Sequence, residues 1–413
     1  MKKSVYILFL LAAVLGTSSC HKGSHEEMEA KSDPVMLKIR VSLSDLLPKT
    51  RAGGVDDPNA AAANENEKIQ TLRVIVVNSK NDVEGNQYMD LTDIGGTPVT
   101  EQTVTVRNVA SNDVKMIYLI ANEGATRKLP ASQGGGEGRL VDYDFTTARI
   151  TPGLKFPLKE IEALKMRLNE NSDHLSNGLQ GGLPMSECHR VRIPVVPPDA
   201  PGRDELEGDG FFLLDENDQI INPAPGADEE IFGYRQTLWI TRTAVKFTCE
   251  VTNNQTAGRV KLKGLRMQKM AGEAYFLPRV LERDGHEIKE FAVPVETMEN
   301  NKHFEFKYDL SATEELQKGK PFVLPPIYLL EGKYTDKNGV KEGDNICNYQ
   351  AALILERDGK QDTTSYMYLP NLPVLPRNTH VVLRATINDP ANILWKVDVV
   401  PYGEVILEPG FGI

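Results

Sequence analysis

Val35, Leu37, Ile39, Val41 and Leu43 put an apolar side chain at every second position, with Met36, Lys38, Arg40, Ser42 and Ser44 between them. Successive side chains of a strand point to opposite faces, so this segment specifies a half-buried β-strand and not an amphipathic helix. Similar alternation, bounded by Gly, Pro, Asn and Asp, recurs along the chain. It predicts strands at residues 72–77, 102–106, 116–121, 190–195, 237–251, 260–267, 304–308, 326–331, 348–355, 379–387 and 395–400. One helix is expected from about Pro157 to Leu168, where Leu158, Ile161, Leu164 and Leu168 recur at helical spacing. A shorter helical turn at 311–317 has Ser311 placed as N-cap and Glu314 three residues on, with few apolar residues behind it.

The chain has 413 residues, enough for more than one core, and its 33 Gly and 25 Pro suit a turn-rich β protein. Two sandwich-like domains fit this pattern. Their boundary is expected within 196–235, where Pro197-Pro198-Asp199-Ala200-Pro201-Gly202 opens an acidic stretch rich in turn residues. No internal repeat is apparent. With 47 Lys and Arg against 58 Asp and Glu, the formal charge is −11, so a nucleic acid would be repelled and is not an expected partner.

Lys2 and Lys3 precede an apolar run, Val5 to Leu15, and then Gly16-Thr17-Ser18-Ser19-Cys20. The run is too short to cross a hydrocarbon core of about 30 Å and reads as a secretory signal, residues 1–19. A cysteine directly after small residues is where lipoprotein processing attaches its lipid, so Cys20 is the expected lipidation site. Attachment to a membrane would then rest on lipid alone. Cys188, Cys249 and Cys347 remain, an odd number that permits one internal disulfide at most. Cys249 alternates with Val245, Phe247 and Val251 and reads as a buried strand residue.

The seven histidines are scattered, and no HExxH, CxxC, P-loop or GxSxG pattern occurs. Gly134-Gly135-Gly136 lacks the strand-to-helix setting of a phosphate cradle, and the carboxylates of 209–218 miss the spacing of a calcium loop. Cys188 beside His189 is a chance adjacency, since neighbours on an extended chain point apart. No enzyme activity, cofactor or metal is expected.

Five short segments occur in order: Met116-Ile117-Tyr118-Leu119-Ile120-Ala121-Asn122, Leu183-Pro184-Met185-Ser186, Thr241-Arg242-Thr243-Ala244-Val245-Lys246-Phe247, Pro326-Ile327-Tyr328-Leu329-Leu330-Glu331 and Pro376-Arg377-Asn378-Thr379-His380. Together with Cys20, they resemble the recurring elements of the Bacteroidales fimbrillins, the FimA/Mfa-type, protease-assembled type V pilins. The resemblance implies a mainly β fold, with two transthyretin-like β-sandwich domains in tandem and a short helix in the N-terminal one. The implied layout is a propeptide at 20–51 containing a removable first strand, domains at 52–215 and 216–400, and a C-terminal tail at 401–413.

It further implies a lipid-anchored precursor at the cell outer membrane, cut by an arginine-specific surface protease. Arg51 occupies the cleavage position, followed by Ala52 and two glycines. Loss of residues 20–51 would remove the strand bearing Val35, Leu37, Ile39, Val41 and Leu43 and leave an unpaired edge that another subunit's strand could complete. The tail, with Val405, Leu407 and Phe411, is the candidate donor, or it folds back as the last strand of its own domain. The expected role is a structural subunit of an adhesive surface fimbrium, joined to copies of itself and to accessory subunits. The alternatives are a lipid-retaining anchor, a tip adhesin, or a monomeric surface lipoprotein that binds a host protein or glycan.

Overall fold

The computed structural model describes residues 34–43, 64–91, 97–128, 137–141, 143–168, 174–175, 179–195, 211–215, 217–221, 229–230, 233–234, 237–255, 259–284, 287–294, 303–333, 340–342, 345–347, 349–357, 359–370, 372, 374–389 and 392–400. Cys20, Arg51, Ala52 and the tail residues Val405, Leu407 and Phe411 lie outside them. The fold is mainly β, as the alternation required.

The first sheet is built from β1 (Pro34–Leu43), β2 (Thr71–Asn78), β3 (Val83–Asp90), β4 (Glu101–Ala110), β5 (Asp113–Ala121), β6 (Met185–Ile193), β7 (Phe212–Leu214) and β8 (Thr237–Arg242). Its order is β3-β2-β5-β6-β8-β1-β4, with β7 paired to β6. The ends of this path come together, because a Cβ added to Gly85 of β3 would stand 2.2 Å from Val106 Cγ1 of β4. Only a residue without a side chain allows that approach. The enclosed core holds the apolar row of β1 together with Leu72, Val74 and Val76 of β2, Val104 and Val106 of β4, and Ile117 and Leu119 of β5.

Unlike β1, β2 holds a continuous apolar run, Val74–Val77, because both of its faces are buried there. Ile75 and Val77 point away from Val74 and Val76 into a second, larger core. Two further sheets enclose that core. One runs β12 (Pro321–Val323), β9 (Ala244–Asn253), β17 (His380–Asp389), β18 (Asn392–Val400), with β13 (Ile327–Leu330) also on β9. The other runs β11 (His303–Glu315), β10 (Val260–Ala271), β14 (Gln350–Arg357), β15 (Lys360–Thr363), with β16 (Met367–Tyr368) on β14.

The structure corrects three sequence expectations. The helix is only α1, Leu158–Glu162. Lys165–Arg167 instead forms a short strand against Glu273–Tyr275, which turns Met166 fully inward. A continued helix would have set Met166 off the apolar stripe, so the strand buries more and gains a ladder. Residues 311–315 are likewise the end of β11, with Glu314 opposite Leu262, so no capping box forms. The expected strand 237–251 is split at Thr243. Its first part, placed by the sequence in the domain at 216–400, is hydrogen-bonded in the first sheet.

Candidate functional site

β1 lies inside the first sheet, parallel to β8 on one side and antiparallel to β4 on the other. The β8 register runs from Arg40 opposite Thr237 to Leu43 opposite Ile240, and the β4 register from Pro34 opposite Ala110 to Ser42 opposite Glu101. A bulge on β4 lets Val35 oppose Val109 and Leu37 oppose Val106. Asn108 takes up the bend at φ 62°, a region asparagine enters more readily than most residues. All five apolar residues are buried, and Leu37, Ile39 and Val41 are 0% exposed. On the opposite face Arg40 reaches water and pairs with Glu101 at 2.6 Å.

β1 is also the only strand to which β4 is paired among the described residues. Without it, the sheet would contain a strand-wide slot. Its floor would be the apolar core, and its walls would be the unpaired backbone edges of β8 and β4. Such an edge is a template for another chain.

Beside the slot the sequence segments singled out above converge, and their polar residues form a buried weld. Glu67, 0% exposed, is the last residue of a short 3-10 turn capped by Asn64, whose side chain accepts from Asn66 N. The Glu67 carboxylate accepts from Tyr328 Oη and pairs with Lys246 Nζ at 2.8 Å, while Asn64 Nδ2 donates to Tyr328 Oη at 2.9 Å. Burial, with the negative Glu67 beside it, pushes the Tyr328 phenol far up, so it stays a donor. Arg242, at the end of β8, donates from Nε to the Glu67 carbonyl at 2.9 Å and from Nη1 to Asn378 Oδ1 at 3.2 Å.

A second buried pair joins Arg377 to Glu331. Arg377 Nε donates to Glu331 Oε2 at 3.0 Å, and its Nη1 donates to the Phe276 carbonyl at 2.7 Å. The same Phe276 carbonyl accepts from Ser186 Oγ at 2.5 Å. Asn122, closing the first segment, accepts from Gln70 N and donates to the Leu183 carbonyl at 2.7 Å. Charges this far from water are stable only when paired and hydrogen-bonded. The weld meets this condition, since each of these buried charges has a partner within it.

No group of three or more His, Cys, Asp or Glu side chains that could hold a metal occurs among the described residues. A cleft of about 360 Å³ is lined by residues including Met116, Tyr118, Leu158, Glu162 and Arg190. Its guanidinium is already bound to Asp218, at 2.5 and 2.9 Å. Cys188 sits opposite Tyr118 across the β5–β6 ladder, and burial raises both the thiol and the phenol. His189 turns instead to the Trp239 carbonyl. Burial pushes the Cys249 thiol up to about 12. Both Cys188 and Cys249 are free.

Residues 38–199, from the middle of β1 to just past β6, match the family model of the major fimbrial subunit protein (FimA). Over this stretch the chain is similar to the FimA fimbrial subunit family. The resemblance read from the five segments is thereby borne out. No curated protein matches the chain.

Among solved structures, a putative cell adhesion protein from Parabacteroides distasonis is 14% identical with a TM-score of 0.48, covering 91% of this chain and 99% of its own. The tip fimbrial protein Mfa3 from Porphyromonas gingivalis, with a C-terminal truncation, is 12% identical with a TM-score of 0.46, covering 89% of this chain and 99% of its own. A fimbrilin (FimA) from Porphyromonas gingivalis is 12% identical with a TM-score of 0.43, over 90% of this chain and 98% of that one.

The alternating residues Val35 to Leu43, which the sequence reading assigned to a removable strand, lie between β8 and β4, and the FimA match begins part-way along them at Lys38. The sequence reading missed the weld as a unit. Its signal was present as Arg242 and Lys246 set within a run whose other members are apolar or small, an arrangement that demands buried partners.

Proposed function

We propose that the chain is a structural subunit of an adhesive cell-surface fimbrium, made as a lipoprotein on Cys20 and cut after Arg51 by an arginine-specific surface protease. Cleavage frees β1, and a strand from a neighbouring subunit enters the slot between β8 and β4. The tail at 401–413 is the donor, with Val405, Leu407 and Phe411 as its apolar anchors. The subunits carry two sandwich domains in tandem, the first extended beyond the expected 52–215 to include β8 up to Arg242 and the second running on to about residue 400, and associate with copies of themselves and with accessory subunits. The precursor is held at the outer membrane by its lipid alone; no described helix is long and apolar enough to cross one.

The observation that carries this reading is the complete burial of the apolar row of β1 in a strand paired on both sides. Five apolar side chains at about 1.5–3 kcal/mol each bind such a strand strongly only when the slot is already formed. Main-chain ladders supply affinity, and alternate side-chain pockets supply register. Treating the purified full-length precursor with trypsin tests the proposal. The expected product begins at Ala52, loses the peptide containing Val35–Leu43, and forms rods visible by negative-stain microscopy. A product that starts at Ala52 but stays monomeric with β1 removed refutes strand donation.

A further inference from the structure

Thr237–Ile240 form one wall of the slot, and their support is uneven. β8 is paired to β6 only where Arg242 meets Met185 and Thr241 meets Ser186. Beyond Ser186 the two strands diverge, and from Arg190 onward β6 is paired with β7 instead. Among the described residues, therefore, Thr237–Ile240 have a ladder partner in β1 alone. Side chains close the gap that opens between β8 and β6. Thr241 Oγ1 donates to the Ser186 carbonyl at 3.0 Å, at the root of the divergence. Farther out, His189 Nε2 lies 2.6 Å from the Trp239 carbonyl oxygen. A carbonyl can only accept, so Nε2 carries the proton in this contact.

We infer that His189 is a positioning residue for strand exchange, holding the Thr237–Ile240 wall in place after β1 has left. With β1 present, the ladder from Arg40–Leu43 fixes the same backbone and the imidazole bond is redundant. With β1 gone, the wall projects from Thr241 and Arg242, and His189 holds it near its middle. Arg242 cannot swing, because Glu67 and Asn378 hold its guanidinium. The wall is thus clamped at one end and pinned at Trp239. This inference rests on the proposed strand replacement.

The test uses full-length protein cut with trypsin and freed of its N-terminal peptide in dilute urea. Wild type, His189→Ala and His189→Gln are compared for uptake of a labelled synthetic peptide spanning residues 33–44. Loss of one hydrogen bond from the open slot should slow peptide association about tenfold in His189→Ala. The amide donor of His189→Gln should restore most of it, and the uncut proteins should melt together. Equal association rates for wild type and His189→Ala overturn the inference, as does an equal loss of stability in cut and uncut forms. If cut wild type takes up no peptide, strand replacement itself fails and the inference with it. Hydrogen exchange on cut wild type checks the wall without any variant: slowed exchange at residues 237–240 supports the pin, and exchange at the unfolded rate overturns it.

Discussion

Replacing Ile39 by alanine removes three carbons from a side chain that is 0% exposed and faces the enclosed core of the first sheet. At about 0.8 kcal/mol per carbon the lost transfer energy is about 2.4 kcal/mol. The space left behind adds to it, because walls formed by β2, β4 and β5 relax only in part, giving about 3–5 kcal/mol in all. The neighbouring residue supplies the control. Arg40 is half exposed, and its ion pair with Glu101 is a surface pair whose loss costs about 0–1 kcal/mol.

The assay is urea unfolding of the uncut chain followed by tryptophan fluorescence. Trp239 lies opposite Ser42 in the β8–β1 register and reports directly on the slot. Ile39→Ala should lower the midpoint strongly with an unchanged slope, and Arg40→Ala should leave it nearly in place. Similar midpoints for the two variants would refute the burial of β1 and everything built on the slot.

Other substitutions probe other joints. Gly85→Ala should cost about 1–3 kcal/mol in chemical denaturation, because the new methyl meets Val106 Cγ1, and Val106→Ala in the same chain should recover part of that loss. Glu331→Ala strands the buried Arg377 guanidinium and should cost about 3–5 kcal/mol. The double variant Arg377→Met/Glu331→Leu should recover only partly, since the Tyr275 carbonyl loses the Arg377 donor and the Phe276 carbonyl keeps only that of Ser186 Oγ. For Asp113, burial works to raise its pKa, but hydrogen bonds from Ser79 and Lys115 bring it below the ordinary value. Its folded pKa being the lower, its contribution is complete above about pH 4 and is lost as pH falls through the folded value. Asp113→Asn should therefore flatten the acid limb of a pH–stability curve and leave its shape near neutrality unchanged.

The sequence made β1 legible because one face is fully buried and the other, except at Ser42, is partly exposed, so burial wrote itself as strict alternation. The helix was misread for a related reason: Leu164 and Leu168 are at helical spacing from Ile161, yet an extended segment buries Met166 and pairs with Glu273–Tyr275. Spacing alone cannot weigh a ladder whose other strand lies a hundred residues away. The residues of β1 were readable as a strand by themselves. What they lie against was not, since β8 and β4 are brought to β1 by topology.

The split of the run 237–253 at Thr243 ties these results together. Up to Arg242 the chain lines the first core, with Leu238 and Ile240 facing inward beside β1. From Ala244 it lines the second, with Val245 and Phe247 facing that core. At the crossing point Thr243 donates through both its backbone N and Oγ1 to the Pro184 carbonyl, at 3.1 and 2.8 Å. Arg242 is locked to Glu67 and Asn378 on one side of that point and Lys246 to Glu67 on the other. A stretch that passes from one core to the other cannot slide along either without breaking buried charge-assisted bonds. If a strand leaves or enters beside β8, the disturbance must therefore stop at the weld. Under the proposed assembly, the charged side chains set inside this apolar run would let the subunit exchange one strand and keep its second core intact.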